Sequence, residues 1–236
     1  MEMVTEKATR MPLSRDRVFS AAVELADESG LDAVTMRGLA ERLGVEAMSL
    51  YHHVTNKEAL LDGVAELVVE EINAAVSHLP VTTGPEDWKL VMRARILAAR
   101  SVIVRHKWAP ALLETRTSMS RAVLIYHHGI LEIFRAGGIS YDLAHHALHA
   151  LGSRAMGFTQ EMFDPAPGSE EEAAVTAEFA AMAAELPLLV EMLSEVVHDD
   201  DPETNLGWCD DQTEFEFALD ILLDGLERLG AAEPSG

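Results

Sequence analysis

Apolar residues recur along this chain at intervals of three and four positions rather than at every second position. Near the N-terminus, Val18, Ala22, Leu25 and Ala26 form one such stripe. That spacing is typical of an amphipathic α-helix, and the alternating runs typical of β-strands are nearly absent. The pattern therefore predicts an all-α protein.

Cap and breaker residues predict four helices in the first third of the chain. Ser14, Thr35 and Asn56 are suitable N-caps, and Gly30 and Gly44 are suitable stops. The predicted helices are 14–29, 36–43, 46–52 and 57–78.

A second series of helices is predicted after the breaker segment Pro80–Pro85, which contains two prolines and a glycine. The first of these helices begins at Pro85, with acidic residues in its first turn, and the last ends at Gly230. The predicted helices are 85–106, 109–115, 118–136, 141–162, 170–197 and 211–229. The expected domains are a flexible arm at 1–13, a small domain at 14–60 and a larger helical domain at 61–236.

The segment Val34–Lys57, VTMRGLAERLGVEAMSLYHHVTNK, has the spacing of a helix-turn-helix. Two short helices would be joined by a tight turn at Gly44-Val45, and their apolar side chains would share one small core. The core residues would be Leu39, Leu43, Val45, Leu50 and Val54. In such a unit the second helix enters the DNA major groove, and the free face of 46–52 has compact and planar side chains suited to that role. A plain helical hairpin inside a bundle is the alternative interpretation.

The longer segment GLDAVTMRGLAERLGVEAMSLYHHVTNKEALLDGV resembles the DNA-binding domain of the TetR family of transcription regulators. The resemblance implies a repressor that binds double-stranded operator DNA through this domain. The DNA-contacting positions would be Thr35, Met36, Arg37, Ala47, Met48, Ser49, Tyr51, His53 and Lys57. Tetracycline-binding members of the family carry Gln-Pro-Thr where this chain has Ala47-Met48-Ser49, so a different operator sequence is expected.

Three later segments, 112–120, 137–153 and 215–229, resemble the ligand-binding domain of the tetracycline-repressor type. This resemblance implies a small-molecule effector that releases the regulator from DNA. Leu112 occupies the position of a histidine that holds the magnesium–drug complex in tetracycline-binding members, so we expect a different ligand and no metal or other cofactor. The candidate effector-binding residues are Asn73, His106, Trp108, Thr115, Arg116 and Gln160.

The last predicted helix is apolar around most of its circumference, so one neighbouring helix would not cover it. A second copy of the chain would cover the remaining face. Because helix 141–162 contains small residues that permit close approach, two helices from each chain would form a four-helix bundle. The expected homodimer contacts are Tyr141, Ala144, Leu148, Leu151, Ala155, Phe215, Leu219, Leu222 and Leu226. The alternative is that both helices are internal core helices of a monomer.

The net charge of −22 does not favour general affinity for nucleic acid, but the charge is unevenly distributed. Residues 1–57 contain seven basic and nine acidic side chains, which gives −2. The remaining 11 basic and 31 acidic side chains give −20. The acidic part would repel DNA and so restrict binding to the N-terminal domain.

The compartment expected from the sequence is the cytoplasm. Residues 1–12 are polar and lack the apolar centre of a signal peptide, and no apolar run is long enough to cross a bilayer. We therefore expect no membrane association. Cys209 is the single cysteine, which excludes an intrachain disulfide and agrees with a reducing compartment.

Two other function classes compete with DNA binding. The chain has ten histidines, and His145 and His149 are four residues apart, which places both on one helix face. A helical metal-binding enzyme using histidines is therefore the main alternative, although no HExxH motif or cysteine cluster is present. A helical adaptor that binds no DNA is a third interpretation, and it leaves the pattern of Arg37–Lys57 unexplained. We expect a DNA-binding regulator rather than an enzyme.

Overall fold

The computed structural model describes residues 12–82, 84–117, 119–157, 177, 181, 185–188, 190–191 and 211–232. Across these residues the regular structure is helical and contains no strand, which confirms the all-α prediction. The chain divides into two compact units, of which the first ends at Ser140 and the second begins at Tyr141. Within the same described residues, every helix is too short or too polar to cross a membrane.

The first unit contains seven described α-helices, and the second contains two long ones. In the first unit they are α1 (Arg15–Ser29), α2 (Met36–Leu43), α3 (Ala47–Leu50), α4 (Lys57–Val76), α5 (Trp88–Arg105), α6 (Ala109–Glu114) and α7 (Arg121–Ala136). In the second unit they are α8 (Tyr141–Gly157) and α9 (Asp211–Ala232). A single 3₁₀ turn, Leu31–Ala33, lies between α1 and α2. Residues 158–162 of one predicted helix, and most of predicted helix 170–197, lie outside the described residues.

The predicted N-caps of α1, α2 and α4 are confirmed by their hydrogen bonds. Ser14 Oγ accepts from the backbone N–H of Arg17 at 3.2 Å, and Thr35 Oγ1 accepts from that of Gly38 at 3.0 Å. Asn56 Oδ1 accepts from the backbone N–H of Ala59 at 2.8 Å. Each bond satisfies one of the N–H groups that a helix leaves unpaired at its start.

Three helix limits differ from the sequence-based expectation by three residues, and α3 and α4 each end two residues earlier than expected. Helix α5 begins at Trp88 rather than Pro85, because Pro85–Asp87 form a turn in which the Asp87 N–H donates to Gly84 O at 3.4 Å. Helix α7 begins at Arg121 rather than 118, and Ser120 caps it: its Oγ accepts a hydrogen bond from the backbone N–H of Val123. Helix α9 continues past Gly230 to Ala232, so this glycine does not end the helix.

The apolar core of the first four helices also receives a residue from α6. Phe19, Leu39, Leu50 and Val64 are buried in one cluster, and Leu112 of α6 joins them. The core of the first four helices is thus continuous with α6, which packs against α4. In the predicted small core, Leu39, Leu50 and Val54 are fully buried, while Leu43 and Val45 are partly buried against the same cluster.

Helices α1 and α4 approach each other closely at Gly63. A Cβ atom at this position would overlap the ring of Phe19, so the absence of a side chain is what permits the contact. Phe19 and Gly63 are both buried. The close packing of α1 on α4 therefore depends on this glycine.

We expect Gly63→Ala to destabilise the first unit by about 1–3 kcal/mol, the usual cost of overpacking a core. Because the overlapping group is the Phe19 ring, Phe19→Leu in the same chain should recover part of this loss. Urea unfolding followed by circular dichroism would measure both effects. Strictly additive losses in the double variant would contradict the close packing described here.

Candidate DNA-binding and effector sites

A tight turn at Gly44 fixes the angle between α2 and α3. Gly44 has φ 64°, a left-handed conformation that glycine adopts without strain, and it ends α2. The N–H of Val45 then donates to Ala40 O at 3.0 Å. Leu50, at the end of α3, is fully buried. The turn and this anchor hold α3 with one face in the core and the other in solvent.

The outer face of α3 presents several of the predicted DNA-contacting residues. Met48 is 72% exposed and Tyr51 is 44% exposed, although both are large side chains that are usually buried. Ser49 and His53 are partly exposed beside them, and Lys57 is exposed at the first position of α4. The arrangement therefore offers side chains with room to reach a nucleic acid groove.

Three other predicted contact residues stabilise the starts of α2 and α3. Thr35 caps α2, whereas Met36 and Ala47 are partly buried against the core of the first four helices. Their backbones lie at the N-terminal ends of α2 and α3, where unpaired N–H groups favour a phosphate. Residue type alone did not reveal this division between exposed contacts and anchored positions.

The basic side chains of this unit are used in different ways. Arg42 bonds two carboxylates of α1, with Nη1 at 2.6 Å from Glu28 Oε2 and Nη2 at 2.9 Å from Glu24 Oε2. The hydrogen bond from Arg42 lowers the pKa of Glu28, and Arg42 therefore joins α2 to α1. Arg37, by contrast, is highly exposed, and its ion pair among the described residues is with Glu41, one turn later, at 3.0 Å. Lys57 forms no ion pair with the described residues and is available for a phosphate.

A buried histidine joins α1, α4 and the turn before α6. His106 Nδ1 lies 2.7 Å from Asp27 Oδ1, and its Nε2 lies 2.9 Å from Glu71 Oε2. Trp108 Nε1 also donates to Asp27 Oδ1, at 2.7 Å. Burial alone would lower the pKa of His106, but its hydrogen bonds with Asp27 and Glu71 outweigh burial and raise it. Two of the residues expected to bind an effector thus hold three helices together.

The remaining effector candidates mostly contact α4 as well. Arg116 Nη1 lies 3.0 Å from both Glu58 Oε2 and Asp62 Oδ1, and Thr115 Oγ1 accepts a hydrogen bond from Arg116. Asn73 Nδ2 donates to Ala122 O at 2.9 Å, while its buried Oδ1 has no partner among the described residues. Gln160 lies outside the described residues.

A cavity of about 400 Å³ lies beyond the C-terminal end of α4 and is also bounded by α5 and α7. Arg95 of α5 lines it, although the sequence-based selection of candidates did not include this residue. Its Nη2 donates to Tyr126 O at 3.2 Å, and the guanidinium lies 5.1 Å from the centroid of the Tyr126 ring. Burial raises the pKa of Tyr126 to about 12, so the phenol is neutral and does not cancel the charge of Arg95.

Helices α8 and α9 pack against each other through part of the expected dimer surface. Five of the nine residues predicted to contact a second subunit are instead buried inside their own unit, namely Ala144, Leu151, Phe215, Leu219 and Leu226. Leu148, Ala155 and Leu222 are partly exposed, and Tyr141 is exposed. The large apolar side chains that α9 leaves exposed are Phe217, Ile221 and Leu229.

The histidine pair that suggested a metal site is not joined by a third metal ligand among the described residues. The rings of His145 and His149 are 4.8 Å apart between centroids, and both side chains are exposed. Within the part of the chain that the structure describes, no three His, Cys, Asp or Glu side chains converge as metal ligands would.

Comparison with known proteins accounts for both parts of the chain. The family described as bacterial regulatory proteins, tetR family, matches residues 18–64. The family described as tetracyclin repressor-like, C-terminal domain, matches residues 79–229. The two matches correspond to the helix-turn-helix region and to the helices that follow it.

Individual relatives agree with the family matches. The tetracycline repressor protein class D of Escherichia coli is 31% identical over 192 residues, which cover 81% of this chain and 83% of that protein. The HTH-type transcriptional repressor DrrR1 of Streptomyces coeruleorubidus is 28% identical over 222 residues, 93% of this chain and 79% of that one. The crystal structure of TetR from Acinetobacter baumannii AYE, 28% identical, superposes with a TM-score of 0.64 and covers 92% of this chain and 98% of that one.

The helix-turn-helix geometry, the two family matches and the near full-length relatives agree on one assignment. Members of this family are transcriptional regulators that bind DNA. The chain therefore belongs to the tetR family of bacterial regulatory proteins, with a C-terminal domain of the tetracycline-repressor type.

Proposed function

We propose that this regulator acts as a repressor in the cytoplasm, bound to operator DNA as a homodimer until a small molecule releases it. The observation that carries the proposal is the exposed outer face of α3, held between the Gly44 turn and the buried Leu50. No catalytic role is proposed for the histidines, because the family consists of regulators.

The proposed DNA contacts divide into base-reading and positioning groups. Met48, Ser49 and Tyr51 would face base edges in the major groove, and Lys57 would bind a backbone phosphate. Arg37 is exposed enough to exchange its Glu41 partner for a phosphate or a guanine. The remaining proposed contacts, Thr35, Met36, Ala47 and His53, would position the two short helices on the duplex.

We expect Lys57→Ala to weaken DNA binding about tenfold on every sequence, because a phosphate contact carries no base information. The dependence of affinity on salt should decrease by about one counterion. Tyr51→Ala should instead weaken binding mainly to the preferred sequence. Mobility-shift assays on a duplex selected from a random library would measure these effects.

Lys107→Ala is the matched control, because Lys107 is an exposed lysine in the turn between α5 and α6. Its affinity for the selected duplex should remain within about twofold of the wild type. If Lys57→Ala and Lys107→Ala behave alike, the assignment of the DNA-binding face is wrong.

The proposed dimer interface uses the side of α9 that the described residues of the chain leave uncovered. Phe217, Ile221, Gly225 and Leu229 follow one another at intervals of four, so they form a continuous ridge on the helix. A Cβ atom at Gly225, or at Gly152 of α8, would meet no atom of the described residues within 4 Å. The ridge therefore combines exposed apolar groups with space for another helix, and we propose that α8 and α9 of two chains form a four-helix bundle. Tyr141, Leu148, Ala155 and Leu222 would contribute from its margins.

Helix α4 is the proposed lever between effector and DNA. Its 20 residues span about 30 Å, from Lys57 at the DNA-binding face to Val76 at the cavity. An effector that fits only one position of the α4 end would change the separation of the two α3 helices. The effector acts only through its different affinities for the DNA-binding and the released positions of α4. The effector candidates named from the sequence would stabilise one of the two positions of α4, since most of them contact α4 or α1. They are Asn73, His106, Trp108, Thr115 and Arg116.

A further inference from the structure

The cavity beyond α4 contains two buried polar atoms that have no partner. Arg95 Nε is a donor, and Thr82 Oγ1 is both a donor and an acceptor, and neither makes a hydrogen bond among the described residues. Both residues line the same cavity. Because a buried polar group without a partner is costly, two of them at one cavity indicate a position for a polar ligand atom.

Within the part of the chain that the structure describes, the charge of Arg95 is not neutralised at close range. No carboxylate of the described residues lies within ion-pair distance of its guanidinium. Glu132 lines the same cavity and influences Arg95 only at longer range, while its own carboxylate lies 3.5 Å from His128 Nε2. The guanidinium remains positive under all ordinary conditions, so the cavity has a permanent and incompletely balanced cation.

The position of this cation is fixed by the packing of two helices. Arg95 belongs to α5, and a Cβ atom at Gly129 of α7 would overlap its guanidinium. Gly129 therefore leaves the room in which the guanidinium lies against α7, 5.1 Å from the centroid of the Tyr126 ring and at the wall of the cavity. A cation held in this way is preorganised for binding, unlike an arginine that extends into solvent.

The rest of the cavity wall is mainly apolar. Val76 and Leu79 come from the end of α4 and the segment after it, Val91 from α5, and Ile133 from α7. The volume of about 400 Å³ is within the range of sites for small organic molecules. The wall would accept an apolar body, and the polar atoms would orient one end of it.

We propose that the effector is an apolar molecule with one anionic oxygen group, such as a carboxylate, phenolate or enolate, and that Arg95 binds this group. Thr82 would provide a second hydrogen bond, and the apolar body would lie between α4, α5 and α7. The inference rests on the proposed effector response and specifies the chemical class of the effector.

Two fluorescent probes with the same aromatic rings test this proposal. Anilinonaphthalene sulfonate carries an anion, whereas N-phenylnaphthylamine is its neutral counterpart. Titration of the full-length wild-type protein with each probe should show saturable binding. Arg95→Met should weaken binding of the sulfonate by about tenfold or more, because a charge-assisted hydrogen bond is lost, and should change binding of the neutral probe less than about twofold.

Two further variants make the result specific. Arg121→Met removes an exposed charge at the start of α7, about two turns before Gly129. It should leave the affinity for both probes within about twofold of the wild type. Arg95→Gln keeps a polar side chain without the charge. It should bind the sulfonate as weakly as Arg95→Met does, and it remains a valid test if the methionine variant folds poorly. Equal weakening of both probes, or no change for either, would overturn the proposal.

The titrations are made without DNA, so they are independent of operator binding. If the wild type fails to bind any selected duplex, the proposed function fails while the probe result still stands. If the regulator binds DNA normally and Arg95→Met weakens the anionic probe no more than the neutral one, the effector class proposed here is wrong. The proposed repressor function is then unaffected.

Discussion

Replacing Ile221 with glutamate is expected to convert the regulator into a monomer and to weaken its binding to operator DNA by at least about 100-fold. Ile221 is 52% exposed in the single chain, so a charge there is acceptable to an isolated subunit. In the proposed four-helix bundle the same charge would be buried without a partner, at a cost of several kcal/mol. The DNA affinity would fall with dimerisation, because two linked recognition helices bind far more tightly than one.

Light scattering would report the mass, and a mobility-shift assay would report the affinity. Leu90→Glu is the matched control, since Leu90 is an exposed apolar residue of α5 in the first unit, at 72% exposure. It should remain a dimer with nearly wild-type DNA binding. A dimeric Ile221→Glu variant with unchanged helical content would show that the exposed ridge of α9 is not the interface.

Replacing His106 with leucine is expected to destabilise the protein by about 2–4 kcal/mol, because two charge-assisted hydrogen bonds disappear together. The variant would leave Asp27 and Glu71 facing an apolar side chain in place of the imidazolium. Since α1 and α4 would lose a direct link, the DNA-binding helices should unfold at lower temperature. Thermal unfolding at fixed protein concentration would measure the effect.

His128→Leu provides the comparison, because His128 also faces a carboxylate, Glu132, but at 3.5 Å and with 75% of its side chain exposed. Its loss should change the unfolding free energy by less than about 0.5 kcal/mol. Similar losses in the two variants would mean that burial of His106 between two carboxylates adds little stability.

The effect of His106 should depend on pH in a definite direction. Its folded-state pKa is raised above the ordinary value of 6.5, so the stabilisation from its charged form is complete below pH 6.5. It is lost as the pH rises through the raised pKa. The difference in Tm between wild type and His106→Leu should therefore be larger near about pH 6 than near about pH 9. An equal difference at both values would show that His106 stabilises the fold by packing alone.

Local features of the fold were predictable because they depend on neighbouring residues. Ser14, Thr35 and Asn56 cap their helices through backbone groups three positions away, and Gly44 ends α2 by its own conformation. The exception at the start of α5 is also local. Pro85 suits a first helical position and a turn equally well, and the turn with Gly84 is adopted instead.

Contacts between distant residues were not predictable from the pattern. His106 and Trp108 were selected as effector candidates because they are polar or aromatic residues among apolar helices. Both bond Asp27, about 80 residues earlier, and no periodicity indicates such a pair. Arg95 was missed for the same reason. Its importance arises from the room that Gly129 leaves for it on another helix, a property of the packing and not of the sequence spacing.

The exposed side of α9 was also not predictable from the sequence. The apolar residues of α9 cover most of its circumference, and hydropathy does not say which of them face α8 of the same chain. The structure directs Phe215 and Leu219 inward and leaves Phe217 and Ile221 exposed. The sequence thus predicted that a second partner was needed, and the exposed residues of α9 are the basis for the side that we propose for it.

The distance between the two α3 helices in the DNA-bound dimer tests the central claim most directly. Spin labels at His52→Cys, an exposed position after α3, would be measured by pulsed dipolar spectroscopy in a Cys209→Ser background. On a selected duplex, one distance distribution centred at about 30–45 Å is predicted, since the two helices would occupy successive major grooves one helical turn apart. The absence of any interspin distance below about 60 Å would contradict the account, because no common duplex could then hold both helices.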